Sequence, residues 1–188
     1  ISSLLYKIDT FLVGTISRSA EAVASYQSAT LIPFTLNFIP LALMTFAYPY
    51  FARHWQEKAW VKQKYWKMIK KLAVLNSFIA AFLFIFAPVI IRIVFGAQYL
   101  DSVVPFRVLA IGFFIAATFR IPAGNTLVAI GKIKVNLINS IVSGIANIAL
   151  DIVLIYQYGA VGAAVATVIV FVVSSVIGVG YLIHFLGK

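Results

Sequence analysis

Cysteine is absent from this 188-residue chain, histidine occurs twice, and acidic residues occur only five times. Without thiols there is neither a disulfide framework nor a thiolate metal site. His54 and His184 stand far apart at the ends of apolar tracts, so no Ser/His/Asp cluster forms, and HExxH is missing. A membrane-embedded glycosyl- or acyltransferase needs paired carboxylates or a histidine at an interface, and such candidates are sparse. No G-x-x-x-x-G-K-[ST] loop occurs, so the chain does not hydrolyse ATP itself. Charge of either sign is scarce: 11% of residues are charged and 63% are hydrophobic, against about 25% and about 45–50% in soluble domains. With a mean hydropathy of +1.03, the chain cannot cover a water-facing surface with polar groups.

What charge there is leans basic, fifteen Lys and Arg against five Asp and Glu, for a net +10. In a soluble protein that excess would suggest nucleic acid; in a membrane protein it marks cytoplasmic loops. Residues 22–52, 72–91 and 152–187 carry no charge at all. A bilayer core about 30 Å thick needs about 20 helical residues to cross it. The pattern therefore predicts an all-α polytopic membrane protein with six transmembrane helices, at 1–16, 29–52, 72–91, 108–130, 135–158 and 160–183. None has the basic start and short apolar core of a signal peptide. The first is short and lacks an initiator methionine, and the expectation is that residue 1 was cut from a longer chain.

The loops set the orientation. If 53–71 is cytoplasmic, then 131–134 and the C-terminus are too, and that side holds ten basic residues (Arg53, Lys58, Lys62, Lys64, Lys67, Lys70, Lys71, Lys132, Lys134, Lys188). The other side holds three, Arg18, Arg92 and Arg107, offset by Glu21 and Asp101. That asymmetry predicts a multi-pass protein of the plasma (inner) membrane with 53–71 and the C-terminus inside. It also predicts that a cysteine at Lys64 is shielded from an impermeant reagent and one at Ser102 is labelled. EKAWVKQKYWKMIKK (57–71) reads as a cytoplasmic loop whose lysines meet anionic phospholipid headgroups. Its Trp60, Tyr65 and Trp66 would sit at the interface, and no nucleic acid is involved.

Polar residues inside the spans point to function. Lys7 and Asp9 fall in the first, Arg120 in the fourth and Asp151 in the fifth; each costs about 2.5–3.5 kcal/mol near a helix centre. Such groups face a bundle interior or a water-filled cavity, and ion pairing of Arg120 with Asp9 or Asp151 would satisfy them. Asn136, Ser140, Ser143, Asn147 and Asp151 are spaced by four, three, four and four, which is one helix face. Ile138, Ile141, Ile145, Ile148 and Ile152 lie off that stripe, which therefore lines an interior or a solvated path. Pro33, Pro40 and Pro49 interrupt the second span, and Pro122 with Gly124 should bend the fourth. GAVGAAVAT opens the sixth with small residues suited to close helix packing.

Three stretches resemble the second half of the polysaccharide flippases in the multidrug/oligosaccharidyl-lipid/polysaccharide exporter superfamily: YKIDTFLVGTISRSAEAVASYQSAT, VFGAQYLDSVVPFRVLAIGFF and VAIGKIKVNLINSIVSGIANIALDIVLIYQYGAVGAAVATVI. The resemblance covers essentially all of 1–188. It implies the C-terminal six-helix lobe of a two-lobed exporter fold, with the N-terminal lobe missing. The implied function is moving lipid-linked oligosaccharide or polysaccharide precursors, O-antigen units among them, to the outer leaflet for the cell envelope. The implied mechanism is alternating access around a cavity between lobes, without enzymatic chemistry. Lys7 and Arg120, with Asn136, Ser140 and Ser143, become the candidates for the substrate cavity, Arg suiting phosphate geometry. Drug and cation antiporters share the superfamily's helix order, and a non-transporting membrane scaffold or enzyme subunit is a further alternative.

A second set concerns energy coupling. Asn147 and Asp151 are one helical turn apart, Thr167 lies sixteen residues beyond, and Asp9 is the first span's only acid. Two carboxylates, an amide and a hydroxyl, with the Ala163 carbonyl as a fifth ligand, suit a hard cation. The arrangement resembles the sodium site of lipid-linked-precursor flippases in this superfamily. No other cofactor is expected. A proton-sharing acid pair, with H+ as coupling ion, and salt bridges to Lys7 or Arg120 are the other readings of the same residues.

Overall fold

In the computed structural model the backbone of residues 2–187 and the side chains of residues 8–187 are described; Lys7 lies on a described helix, but its side chain is outside that set. Among the described residues the chain is all-helical, without strands. Four helical runs are long and apolar enough to cross a membrane, namely Ala20–Arg53, Lys58–Val94, Ala97–Ala129 and Ile133–Gly187, and Ile8–Ser17 is a shorter apolar helix. Large apolar side chains face outward along them, including Phe46 at 75% exposure and Phe78 at 73%, as a lipid-facing surface requires.

Helix α1 (Ser2–Ser17) ends at Arg18, whose φ of 51° turns the chain. Ser19 then caps α2 (Ala20–Thr35), its hydroxyl accepting from the Ala22 N–H at 3.2 Å, with Glu21 in the first turn where the helix dipole favours an acid. The second span thus begins as helix nine residues before the apolar tract at 29. The tract marks hydrocarbon depth, whereas the cap marks where the backbone coils. A tight turn at Leu36–Asn37 leads to α3 (Phe38–Arg53).

The predicted loop 53–71 is largely helix. Only 54–57 interrupts it, and α4 (Lys58–Val94) runs unbroken for 37 residues, about 55 Å. Val61, Tyr65, Ile69 and Leu72 repeat every three or four residues and are buried, while Lys62, Lys64, Lys67, Lys70 and Lys71 between them are exposed. The density of lysines hid an amphipathic helix whose apolar side packs on Met44, Leu127 and Leu182. Tyr65, expected at the interface, is therefore interior.

After the 3-10 turn Ala97–Ser102, α5 (Val103–Ile115) passes through a π-turn at Ala116–Arg120 into α6 (Ile121–Ala129). The irregularity predicted around Pro122 takes this form: proline supplies no N–H, and its ring crowds the carbonyl of Thr118, so the turn before it widens. Asn76 of α4 donates to the Thr118 hydroxyl at 3.1 Å in the same turn.

The run Ile133–Gly187 is two helices, α7 (133–158) and α8 (160–187), folded back at Gly159, whose φ of 56° and ψ of −133° are not helical. A Cβ on Gly162 would lie 2.0 Å from the Leu154 carbonyl oxygen, and Asn139 Nδ2 donates to the Ser174 carbonyl at 3.0 Å. Both pairings sum to nearly the same residue total, as an antiparallel hairpin requires. The boundaries expected for the fifth and sixth spans, meeting at 158–160, match this reversal. Two core clusters result. One, with Tyr26, Phe106, Ile155 and Ala163, lies toward the 18–19, 95–102 and 159 turns; the other, with Phe51, Tyr65, Leu127 and Leu182, lies toward 54–57 and 131–132.

Candidate functional site

The polar stripe on α7 faces inward and its isoleucines outward: Ser143, Asn147 and Asp151 are buried, whereas Ile138, Ile141, Ile145 and Ile152 are exposed. The stripe serves two separate places. Its upper end, Asn147 and Asp151, meets α1, α2 and α8; its lower end, Asn136 and Ser140, meets Arg120.

The upper place is set by helix register. Asp9 lies eight residues before the end of α1, Asp151 eight before Gly159, Thr167 eight after it, and Tyr26 seven after the Ser19 cap. Eight residues of helix span about 12 Å, so four helices bring these groups to one depth below the same end. There Asn147 Nδ2 donates to Asp9 Oδ1 at 2.9 Å and to Asp151 Oδ2 at 2.7 Å, so one amide holds both carboxylates. Thr167 Oγ1 donates to Asp9 Oδ2 at 3.1 Å, and the Tyr26 hydroxyl reaches the same oxygen at 3.2 Å and the Thr167 hydroxyl at 3.4 Å. All five side chains are buried, as is Ala163 one turn before Thr167. Small residues make the approach feasible, because Gly162, Ala163, Ala164 and Ala166 are buried along this stretch of α8.

The described hydrogen-bond partners of the two carboxylates are two hydroxyls and one amide, rather than the Arg120 pairing offered by the sequence. Asp151 Oδ1 has no hydrogen-bond partner although fully buried. An orphaned carboxylate oxygen beside a second carboxylate fits a cation or a proton held between them. The donor set is all oxygen once the Asn147 amide turns its oxygen inward, so the residues fit a hard monovalent cation. Tyr26 was missed by sequence reasoning, because a tyrosine in an apolar tract carries no signal until α2 is laid against α1.

The lower place is a polar pocket of about 170 Å³ lined in part by Arg120, Asn125, Asn136, Asn139, Ser140 and Ser174. Arg120 Nε donates to Ser174 Oγ at 3.3 Å, and its guanidinium lies 5.1 Å from the Phe171 ring centroid. Arg120, Asn136 and Ser140 thus come together as a group. Ser143 does not line the pocket; its hydroxyl donates to Asn139 Oδ1 at 3.4 Å, one link in a chain running to the Ser174 carbonyl. Asn125, Asn139 and Ser174 were not singled out in the sequence. Asn139 is three residues after Asn136 and one before Ser140, so the stripe was drawn one position too narrow.

Over 101 residues the chain is 32% identical to the "Probable low-salt glycan biosynthesis flippase Agl15" of Haloferax volcanii. That alignment covers 54% of this chain and 21% of the relative, so the chain spans about a fifth of that protein. No solved structure matches. Residues 1–104, which include Asp9 and Tyr26 and end before Asn147, match the family model for "Polysaccharide biosynthesis protein". With 55% of its length matched, the chain belongs to the polysaccharide biosynthesis protein family.

Proposed function

We propose that this chain is the C-terminal six-helix lobe of a flippase that carries lipid-linked oligosaccharide or polysaccharide precursors from the inner to the outer leaflet. The observation that carries the reading is Arg120, a guanidinium in a polar pocket within an apolar bundle, in a family devoted to polysaccharide biosynthesis. A bidentate donor at that depth suits a lipid-linked phosphate, and flanking Asn and Ser groups suit sugar hydroxyls. The flippase named for the Haloferax relative supports the same class. A missing N-terminal lobe would supply the opposite wall of the cavity. In the proposed cycle Asp9, Asn147, Asp151 and Thr167, with the Ala163 carbonyl, hold sodium and couple the outer ends of α1, α7 and α8. These residues draw the helices together when the charge between the carboxylates is neutralised and part them when it is not.

In the full-length protein reconstituted in liposomes, Arg120→Gln should slow the flipping of lipid-linked oligosaccharide by about ten- to a hundredfold, the worth of a hydrogen bond to a charged group, and Arg120→Lys should retain part of the rate. Wild-type flipping by Arg120→Gln would sink the assignment. Export of cationic drugs without glycan flipping would move the protein to the antiporter class.

The proposed orientation places the basic start of α4 in the cytoplasm. A cysteine at the exposed Lys64 should then be protected from an impermeant thiol reagent in intact cells. Ser102 cannot report the other side, since it is fully buried with its hydroxyl on Ser25 at 3.2 Å. The exposed Gln98 takes that role and should be labelled; the opposite labelling pattern would invert the topology.

A further inference from the structure

Although α3 and α4 are consecutive in sequence, they splay apart. They are joined through 54–57, share the aromatic contact of Phe51 with Trp60 at 6.4 Å, and have Met44 and Val61–Tyr65–Ile69 in one apolar cluster, yet the backbone of α3 runs close along α6 rather than along α4. The wedge left between them has a volume of about 510 Å³. Its walls include Phe46, Ala47 and Met68, and its rim carries Lys64, Lys67 and Lys71.

The three lysines lie on one stripe of α4, spaced by three and four residues. Continued along the helix, that stripe becomes Val74, Phe78 and Phe82, all exposed. A single face thus passes from exposed cations to exposed hydrocarbon within two turns, which is the polarity profile of one phospholipid from headgroup to chain. Among the described residues, none of the three lysines has a carboxylate partner; Lys64 Nζ instead stands 5.5 Å over the Trp60 ring. Among the described residues, two of the five acids, Asp9 and Asp151, are buried away from these cations.

We propose that the α3–α4 wedge binds one anionic phospholipid, with an acyl chain between Phe46 and Met68 and the phosphate on Lys64, Lys67 and Lys71. The wedge lies between two helical runs long and apolar enough to cross a membrane, its walls include apolar side chains and its rim is cationic, so a surrounding lipid would supply both chemistries without a second ligand. The site is distinct from the Arg120 pocket and does not depend on which cargo the protein carries.

Trp60 lines the wedge and reports its occupancy. Trp55→Phe and Trp66→Phe leave Trp60 as the sole tryptophan of these 188 residues, and any tryptophan of the full-length protein outside them is likewise replaced by Phe. It is reconstituted in phosphatidylcholine vesicles with rising fractions of chain-brominated phosphatidylglycerol. Quenching should saturate at a low phosphatidylglycerol fraction. In the K64Q/K67Q/K71Q variant, half-saturation should move to a fraction on the order of a hundredfold higher, from the contribution of each lysine near an anionic surface. Ala47→Phe, which fills the wedge and leaves the lysines, should weaken saturable quenching as well. Equal quenching by brominated phosphatidylcholine, or no response to removal of the lysines, would show only bulk lipid and overturn the proposal. Absence of quenching by either lipid would mean another part of the protein covers the wedge. Displacement by a polyprenyl phosphate at a lower fraction would assign it to cargo. Either result also defeats the proposal.

Discussion

Sodium should raise the melting temperature of the full-length wild-type protein and leave Asp151→Ala unmoved. At a hundredfold excess over the dissociation constant the lost stabilisation is about 2.7 kcal/mol. The expectation rests on Asp151 having one oxygen on Asn147 and the other without a partner, beside a second buried carboxylate. Asn147 now points its NH2 group at both acids, so a cation entering must turn that amide to present oxygen. In sodium-free buffer the variant should melt no lower than wild type, because the side chain removed is itself poorly satisfied. That control separates loss of a ligand from loss of the fold. Equal shifts by sodium and potassium, before and after the substitution, would mean that no selective cation site exists. Thr167→Val, which removes a hydroxyl and keeps the shape, should reduce the sodium response without abolishing it.

Gly162→Ala should be the most damaging glycine-to-alanine change among the glycines whose surroundings are described. The new Cβ would lie 2.0 Å from the Leu154 carbonyl oxygen and 2.4 Å from its carbon. Both are backbone atoms, so no rotamer can yield, and the α7–α8 hairpin must open. Overpacking of this kind costs about 3 kcal/mol, and here it would also separate Asp151 from Thr167. The matching control is Gly180→Ala, where nothing lies within 4 Å and the helix gains up to about 1 kcal/mol in propensity. Thermal melts in detergent should therefore move in opposite directions for the two variants. A Gly162→Ala protein that melts with the wild type would show that the hairpin is not packed this closely.

How much of this was legible in the chain depends on the kind of information required. Composition and charge-free tracts were sufficient for an all-helical membrane architecture, because a hydrocarbon solvent demands long apolar segments with every backbone group paired internally. Periodicity was sufficient for the inward face of α7: Asn147 and Asp151 against Ile145 and Ile152 is a contrast written at helical spacing. Helix ends were less legible. Ser19 starts α2 well before its apolar tract, and the lysines of α4 masked the buried Val61–Tyr65–Ile69 side, because charge content reports on solvent rather than on backbone conformation. Which polar groups meet was beyond periodicity altogether. Tyr26 joins Asp9 and Thr167, and Asn139 joins Ser174, through the packing of helices distant in sequence. The residue types that suit a cation were thus present in the sequence, while their common depth, their shared hydrogen bonds and the splayed α3–α4 wedge were decided only by tertiary structure, since a linear pattern specifies the face a helix presents but not the neighbour that covers it.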